Sequence, residues 1–179
     1  MKKLKFYSNL WKISVVIVLV LGALFAYIPS IQVDNLINIQ FSDNLLEFNE
    51  LVKSPLYFKT NTYYDFVFII AYSFLFYYSL RVFEHTLSLT LKPWLFIVCF
   101  IPGLFDYIEN ISGLFLVDLI GNDSGKNASN IFYVFYWFVR LKWVFVIFFI
   151  LMTVTISLYY FVLTIERWIE ILFFPKKVK

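Results

Sequence analysis

The sequence predicts an all-α protein, an antiparallel bundle of four membrane-crossing helices, and three observations carry that expectation. Hydrophobic residues make up 61% of the 179 positions and charged residues only 15%. Soluble domains run at roughly 45–50% apolar and about 25% charged, and a chain this short has too little interior to hide the surplus. The apolar residues fall in four runs, each near the ~20 residues that cross a bilayer core. Basic residues gather at alternate junctions between those runs, the distribution that sets membrane orientation. One membrane domain over 1–179 follows, with helices near 11–30, 62–84, 93–118 and 131–165 and an outward cap over 31–60. Large soluble catalytic and nucleotide-binding modules are excluded. The net charge of +3 reflects topology, not attraction to nucleic acid.

Lys2, Lys3, Lys5 and Lys12 precede the first run, which is free of charge from Ile13 to Ile28 and ends at Pro29. A secretory signal has a similar layout. Ala23 and Ala26, however, are flanked by bulky Phe25 and Tyr27 and make a poor cleavage site, so an uncleaved first helix is expected. From Ser30 to Thr60 the chain turns polar, with Asp34, Asp43, Glu47 and Glu50 against Lys53 and Lys59. Ser42 is expected to cap a short amphipathic helix carrying Leu45, Leu46, Phe48, Leu51 and Val52, suited to lying over the bundle or on the bilayer surface.

In the second run only 15 residues, Phe66 to Leu80, separate Asp65 from Arg81. They span ~22 Å of a ~30 Å core, so one of the two charges lies below the interface or snorkels to it. A linker from Val82 to Lys92 holds Glu84 and the single histidine, His85, read as a solvated loop residue. The third run, Trp94 to Val117, is interrupted by Pro102-Gly103 and carries Asp106, Glu109 and Asn110. A polar loop, Asp118 to Asn130, turns at Gly121 to Gly125. The fourth helix opens near Ile131, carries Arg140 and Lys142, and is then free of charge from Trp143 to Ile165, before a tail with Arg167, Lys176, Lys177 and Lys179.

Ten basic residues (the first four lysines, Arg81, Lys92 and the four of the tail) fall on one side, and only Lys53, Lys59 and Lys126 on the other. The positive-inside rule then puts both termini in the cytoplasm and the cap and the 118–130 loop outside. Asn122-Asp123-Ser124 and Asn127-Ala128-Ser129 match glycosylation acceptors, but a chain rich in Lys, Asn, Ile and Phe reads as bacterial. The expected location is the bacterial cytoplasmic membrane. Cys99 is the one cysteine, so no intramolecular disulfide forms.

Asp106, Glu109, Asn110 and Gly113 stand at i, i+3, i+4 and i+7, on one helical face. A carboxylate in hydrocarbon costs at least ~2.5–3.5 kcal/mol, so this stripe has to meet protein, water or a cation. Residues equally far from a short loop lie at equal depth. Glu109 is thereby level with Arg140, Asp106 is within one residue of Lys142, and across the other hairpin Asp65 is level with Glu109. Positions 140 and 142 point ~200° apart, so one cation faces inward while the other snorkels outward. Asp65, Asp106, Glu109, Asn110, Lys142 and Arg140 are the candidates for binding a ligand or ion. Ser73 and Ser112 read as packing hydroxyls, and no metal cluster or cofactor is expected.

Tyr64-Asp65-Phe66, the run Asp106-Tyr107-Ile108-Glu109-Asn110 after Pro102, and Leu141-Lys142-Trp143 resemble a pattern of small uncharacterised bacterial four-span integral membrane proteins. In that pattern an aspartate opens the second helix, D-x-x-E-N lies in the third and a Lys-Trp pair enters the fourth. The resemblance covers about Tyr63 to Trp143 and implies no known activity. Because Arg140 is outside the pattern, it favours Lys142 as the inward cation. The length and four-span layout are also similar to sterol-isomerase-like membrane proteins, whose pockets use buried carboxylates, without a residue-by-residue match of the acids.

Three readings stay open. The layer is structural, fixing helix register in a structural or accessory protein; or it lines a pocket that binds or converts a small lipophilic ligand, one acid serving as general acid or base; or it passes a cation or proton through hard oxygen ligands. The expected partners are the lipid bilayer and either a lipophilic small molecule or another membrane protein, with no nucleic acid. The oligomeric state is not readable from the sequence.

Overall fold

The computed structural model describes residues 2–27, 33–52, 54–119 and 125–173, with side chains placed for 3–25, 37–52, 54–119 and 127–166. Among them the fold is all-α, without strands: α1 (Lys2–Tyr27), α2 (Val33–Gln40), α3 (Leu45–Leu51), α4 (Pro55–Thr86), α5 (Pro93–Val98), α6 (Ile101–Leu119) and α7 (Gly125–Phe173). Four stretches are long and apolar enough to cross a membrane: Lys3–Phe25, Pro55–Thr86, Pro93–Leu119 and Asn127–Glu166. α6 packs along α7 and against α4, and α1 packs on α4 at the edge of the bundle. The side chains of Lys2 and Lys126, all of Lys53, the turn at 121–124 with the first glycosylation acceptor, and the basic tail from Arg167 lie outside the described residues or side chains.

Capping chemistry moves the helix ends away from the positions that hydropathy marks. α4 starts at Pro55 rather than near 62, because Ser54 accepts a hydrogen bond from the Tyr57 N–H and proline suits the first helical turn. It runs on to Thr86, so His85 sits in its last turn and stacks on Tyr7 of α1 at 5.4 Å, not in a solvated loop. Glu84 closes that end by accepting from Arg81 and from the Leu91 N–H, both at 3.1 Å. α1 likewise starts at Lys2 rather than near 11, and α7 extends the 131–165 expectation at both ends.

The cap contains two short helices, of which the sequence pattern predicts one. Asn44, not Ser42, is the N-cap of α3: its side chain accepts from the Glu47 N–H at 2.9 Å, while the Glu47 carboxylate accepts from the Asp43 N–H at 2.7 Å. Ser42 instead donates to the Ile39 carbonyl and closes α2. The third span breaks at Cys99-Phe100, one turn before Pro102. Proline has no N–H to give the carbonyl four residues back, and its ring crowds that carbonyl. The fault therefore appears beside Val98 rather than at the proline. Gly103 then lets α6 approach α4 closely, since a Cβ there would collide with the Ser73 hydroxyl.

Two apolar clusters fill the bundle. One gathers Trp11, Tyr72, Phe76, Val82, Phe149 and Ile156 toward the half holding the chain's start. The other gathers Phe48, Phe58, Leu116, Phe132, Phe135 and Val139 under the cap. On α4, Asp65 falls in chain order between Phe58 of the second cluster and Ile69 of the first, and on α7 Arg140 and Lys142 fall between Val139 and Phe149.

Candidate functional site

α6 turns Asp106, Glu109 and Asn110 inward, where Asp106 is 5% and Glu109 1% exposed. Lys142 reaches in from α7 and is 4% exposed. Its ammonium lies 2.9 Å from Asp106 Oδ1 and 2.5 Å from Glu109 Oε2. The i, i+3 spacing of the two acids is what lets one ammonium bridge both. Glu109 Oε2 is close but out of line for a hydrogen bond, so that contact is ionic in character. Tyr72 of α4 donates its hydroxyl to Asp106 Oδ2 at 2.8 Å, and Asn110 donates its amide to Asp65 Oδ2 at 2.7 Å. Three helices thus meet in one polar layer.

Arg140 is not in it. Its guanidinium turns toward the cap, 3.1 Å from Asp43 Oδ1 and stacked 3.3 Å above the centre of the Tyr136 ring. Glu109, level with Arg140 by depth, meets Lys142 instead, the cation expected to face inward, because helical direction excludes Arg140 from the inner face and lysine's long stem spans the small difference in depth. Asp65 shares the layer through Asn110 rather than through Glu109.

Two participants escape the sequence reading. Tyr72 and Asn61 share the face of Asp65 at i+7 and i−4 on α4, a spacing present in the sequence, although neither residue type by itself demands a partner in a span. Asn61 is 5% exposed, and its side-chain oxygen has no hydrogen-bond partner among the described residues. Beside it lies a cavity of about 70 Å³ whose polar wall is Gln40, Asn61, Thr62, Asp65, Glu109 and Asn110. Phe25, Phe58 and Phe135 with Ile39 of the cap close the apolar side.

Away from this layer, Arg81 pairs with Glu84 at 3.1 Å and lies 3.6 Å over the Phe96 ring. Ser79 joins α1 and α7 to α4 by accepting from Trp11 Nε1 and sharing a hydrogen bond with Thr153, both at 3.0 Å. Among the described residues no three His, Cys, Asp or Glu side chains are grouped to hold a metal ion. Comparison with protein-family models, curated proteins and solved structures yields no match to this chain.

Proposed function

We propose that the chain is a multi-pass protein of a bacterial cytoplasmic membrane, both termini cytoplasmic, and serves as a structural or accessory component. The observation that carries this is the Lys142 ammonium held between Asp106 and Glu109, with Tyr72 tying the pair to a third helix. Interhelical hydrogen bonds in bilayers average only ~0.6 kcal/mol each, and apolar residues often replace a buried ion pair without loss. The layer's contribution on this reading is register: only one rotation of α7 buries Lys142 against two acids and leaves Arg140 at the cap.

An accessory role has support in α7. Its apolar stretch Asn127–Glu166 has 40 residues, ~60 Å of helix against a ~30 Å hydrocarbon core, and Leu158, Phe161 and Val162 are each more than half exposed. That surface exceeds what one bilayer crossing covers and suits another membrane protein. A lipophilic ligand inside the layer is disfavoured by size, since such pockets run to ~300–1,000 Å³ and this cavity is about 70 Å³.

The test is a charge-removal series read by unfolding in detergent and by the phenotype of cells lacking the gene. Lys142→Met leaves two buried carboxylates uncompensated and lowers stability by about 3–5 kcal/mol. Adding Asp106→Leu recovers part of the loss, and adding Glu109→Leu as well recovers most of it. A triple variant that is stable but fails to complement the deletion overturns the structural reading.

A further inference from the structure

We propose that the cavity between Asn61, Asp65 and Glu109 is a binding site for one monovalent alkali-metal cation. Unlike the accessory role, this rests on charge and geometry alone and stands or falls separately.

The layer holds three carboxylates, those of Asp65, Asp106 and Glu109, and one ammonium, that of Lys142. The ammonium is engaged by Asp106 and Glu109, and among the described residues no ion pair reaches Asp65, whose partner is the Asn110 amide. A neutral donor stabilises the aspartate's oxygen without cancelling its charge, in a region where an unmatched charge is costly. The second observation is Asn61, 5% exposed and a wall residue of the same cavity, whose amide oxygen is buried without a hydrogen-bond partner among the described residues. It adds a hard oxygen where Asp65 has excess negative charge. Thr62 gives its hydroxyl proton to the Phe58 carbonyl at 2.9 Å, so the hydroxyl offers only lone pairs elsewhere.

Size and ligand type narrow the occupant. A water's share of liquid volume is about 30 Å³, and the cavity is about 70 Å³, enough for an ion with one or two waters. Divalent ions favour several carboxylates at one centre, whereas the described residues include no such group of three. Water alone would satisfy the Asn61 oxygen but leave the aspartate's charge. One positive charge, met by amide, hydroxyl and carboxylate oxygens, gives the Asn61 oxygen a partner and cuts the layer's excess of negative charge from two to one.

The experiment uses the full chain in detergent at neutral pH and constant ionic strength, exchanging N-methylglucamine chloride for sodium or potassium chloride. The unfolding midpoint should rise and saturate with one or both alkali ions, as linkage requires of a ligand bound by the folded state. Radioactive sodium or a potassium analogue should bind at one per chain. Asn61→Leu should weaken half-saturation by about tenfold or more, what one neutral ligand to a charge is worth. Asn61→Asp, nearly isosteric and more negative, should strengthen it, which keeps the test decisive if the leucine variant fails to fold. Lys59→Gln, away from the cavity, should leave half-saturation unchanged. An identical response to N-methylglucamine, a midpoint moved by acid but by neither alkali ion, or an alkali response indifferent to both Asn61 changes overturns the proposal.

Discussion

Lysine and arginine two residues apart on α7 occupy opposite environments, and the difference predicts opposite sensitivities. Arg140 pairs with an Asp43 side chain that is 80% exposed. Surface pairs of this kind contribute ~0–1 kcal/mol, so Arg140→Met should lower stability in detergent by no more than about 1 kcal/mol, against several for Lys142→Met. An Arg140 change more damaging than the Lys142 change would reverse the assignment. Tyr72 makes a finer test, since Tyr72→Phe removes only the hydroxyl that Asp106 Oδ2 accepts. A hydrogen bond to a charged group is worth about 1.5–3 kcal/mol, so denaturation of this variant should show a loss in that range; no loss would mean that Asp106 leans on Lys142 alone. The Asp106–Lys142 pairing was legible because helix direction and loop distance are geometric and need no side-chain detail. Asn61 and Tyr72 were not singled out, because neither type is costly enough in a span to demand a partner by itself.

At the level of elements, apolar runs locate what sits in hydrocarbon, while caps and prolines locate where helices begin and break. That is why α4 was legible as a span but its start at Pro55 was not, and why the break in the third span stands a turn ahead of Pro102. α2 was missed for a related reason, since a helix of 8 residues has little periodicity to read. The α4–α6 contact gives the prediction at this scale. Gly103→Ala places a methyl group against the Ser73 hydroxyl, and overpacking of this sort destabilises by about 1–3 kcal/mol. Ser73→Ala in the same chain should return most of that loss, a coupling expected of residues in contact and absent if the two helices stand further apart. Thermal unfolding of the four chains of that cycle decides it.

For the molecule as a whole, the polar layer between two apolar clusters ties the question of function to the question of orientation. Wherever the cap faces, the cavity of Asn61 and Asp65 lies on that side of the Asp106–Lys142 pair, because Ile39 of α2 helps to close it. On the proposed orientation, which rests on the bias of basic residues, ten against three, that side is the exterior and a cation would arrive from outside. Single cysteines in a Cys99→Ser background test this. Leu46→Cys stands on α3 with Leu46 itself 74% exposed, and in intact cells it should react with a membrane-impermeant maleimide. Lys3→Cys, at the start of α1, should react only after the cells are opened. The reverse pattern would place the cap in the cytoplasm and make internal cations the accessible ones. It would leave the layer's geometry untouched, since the pairing of α6 with α7 does not depend on which end is out. Labelling of both positions from outside would instead mean that α1 and the cap do not lie on opposite sides, and the four-crossing arrangement itself would fail.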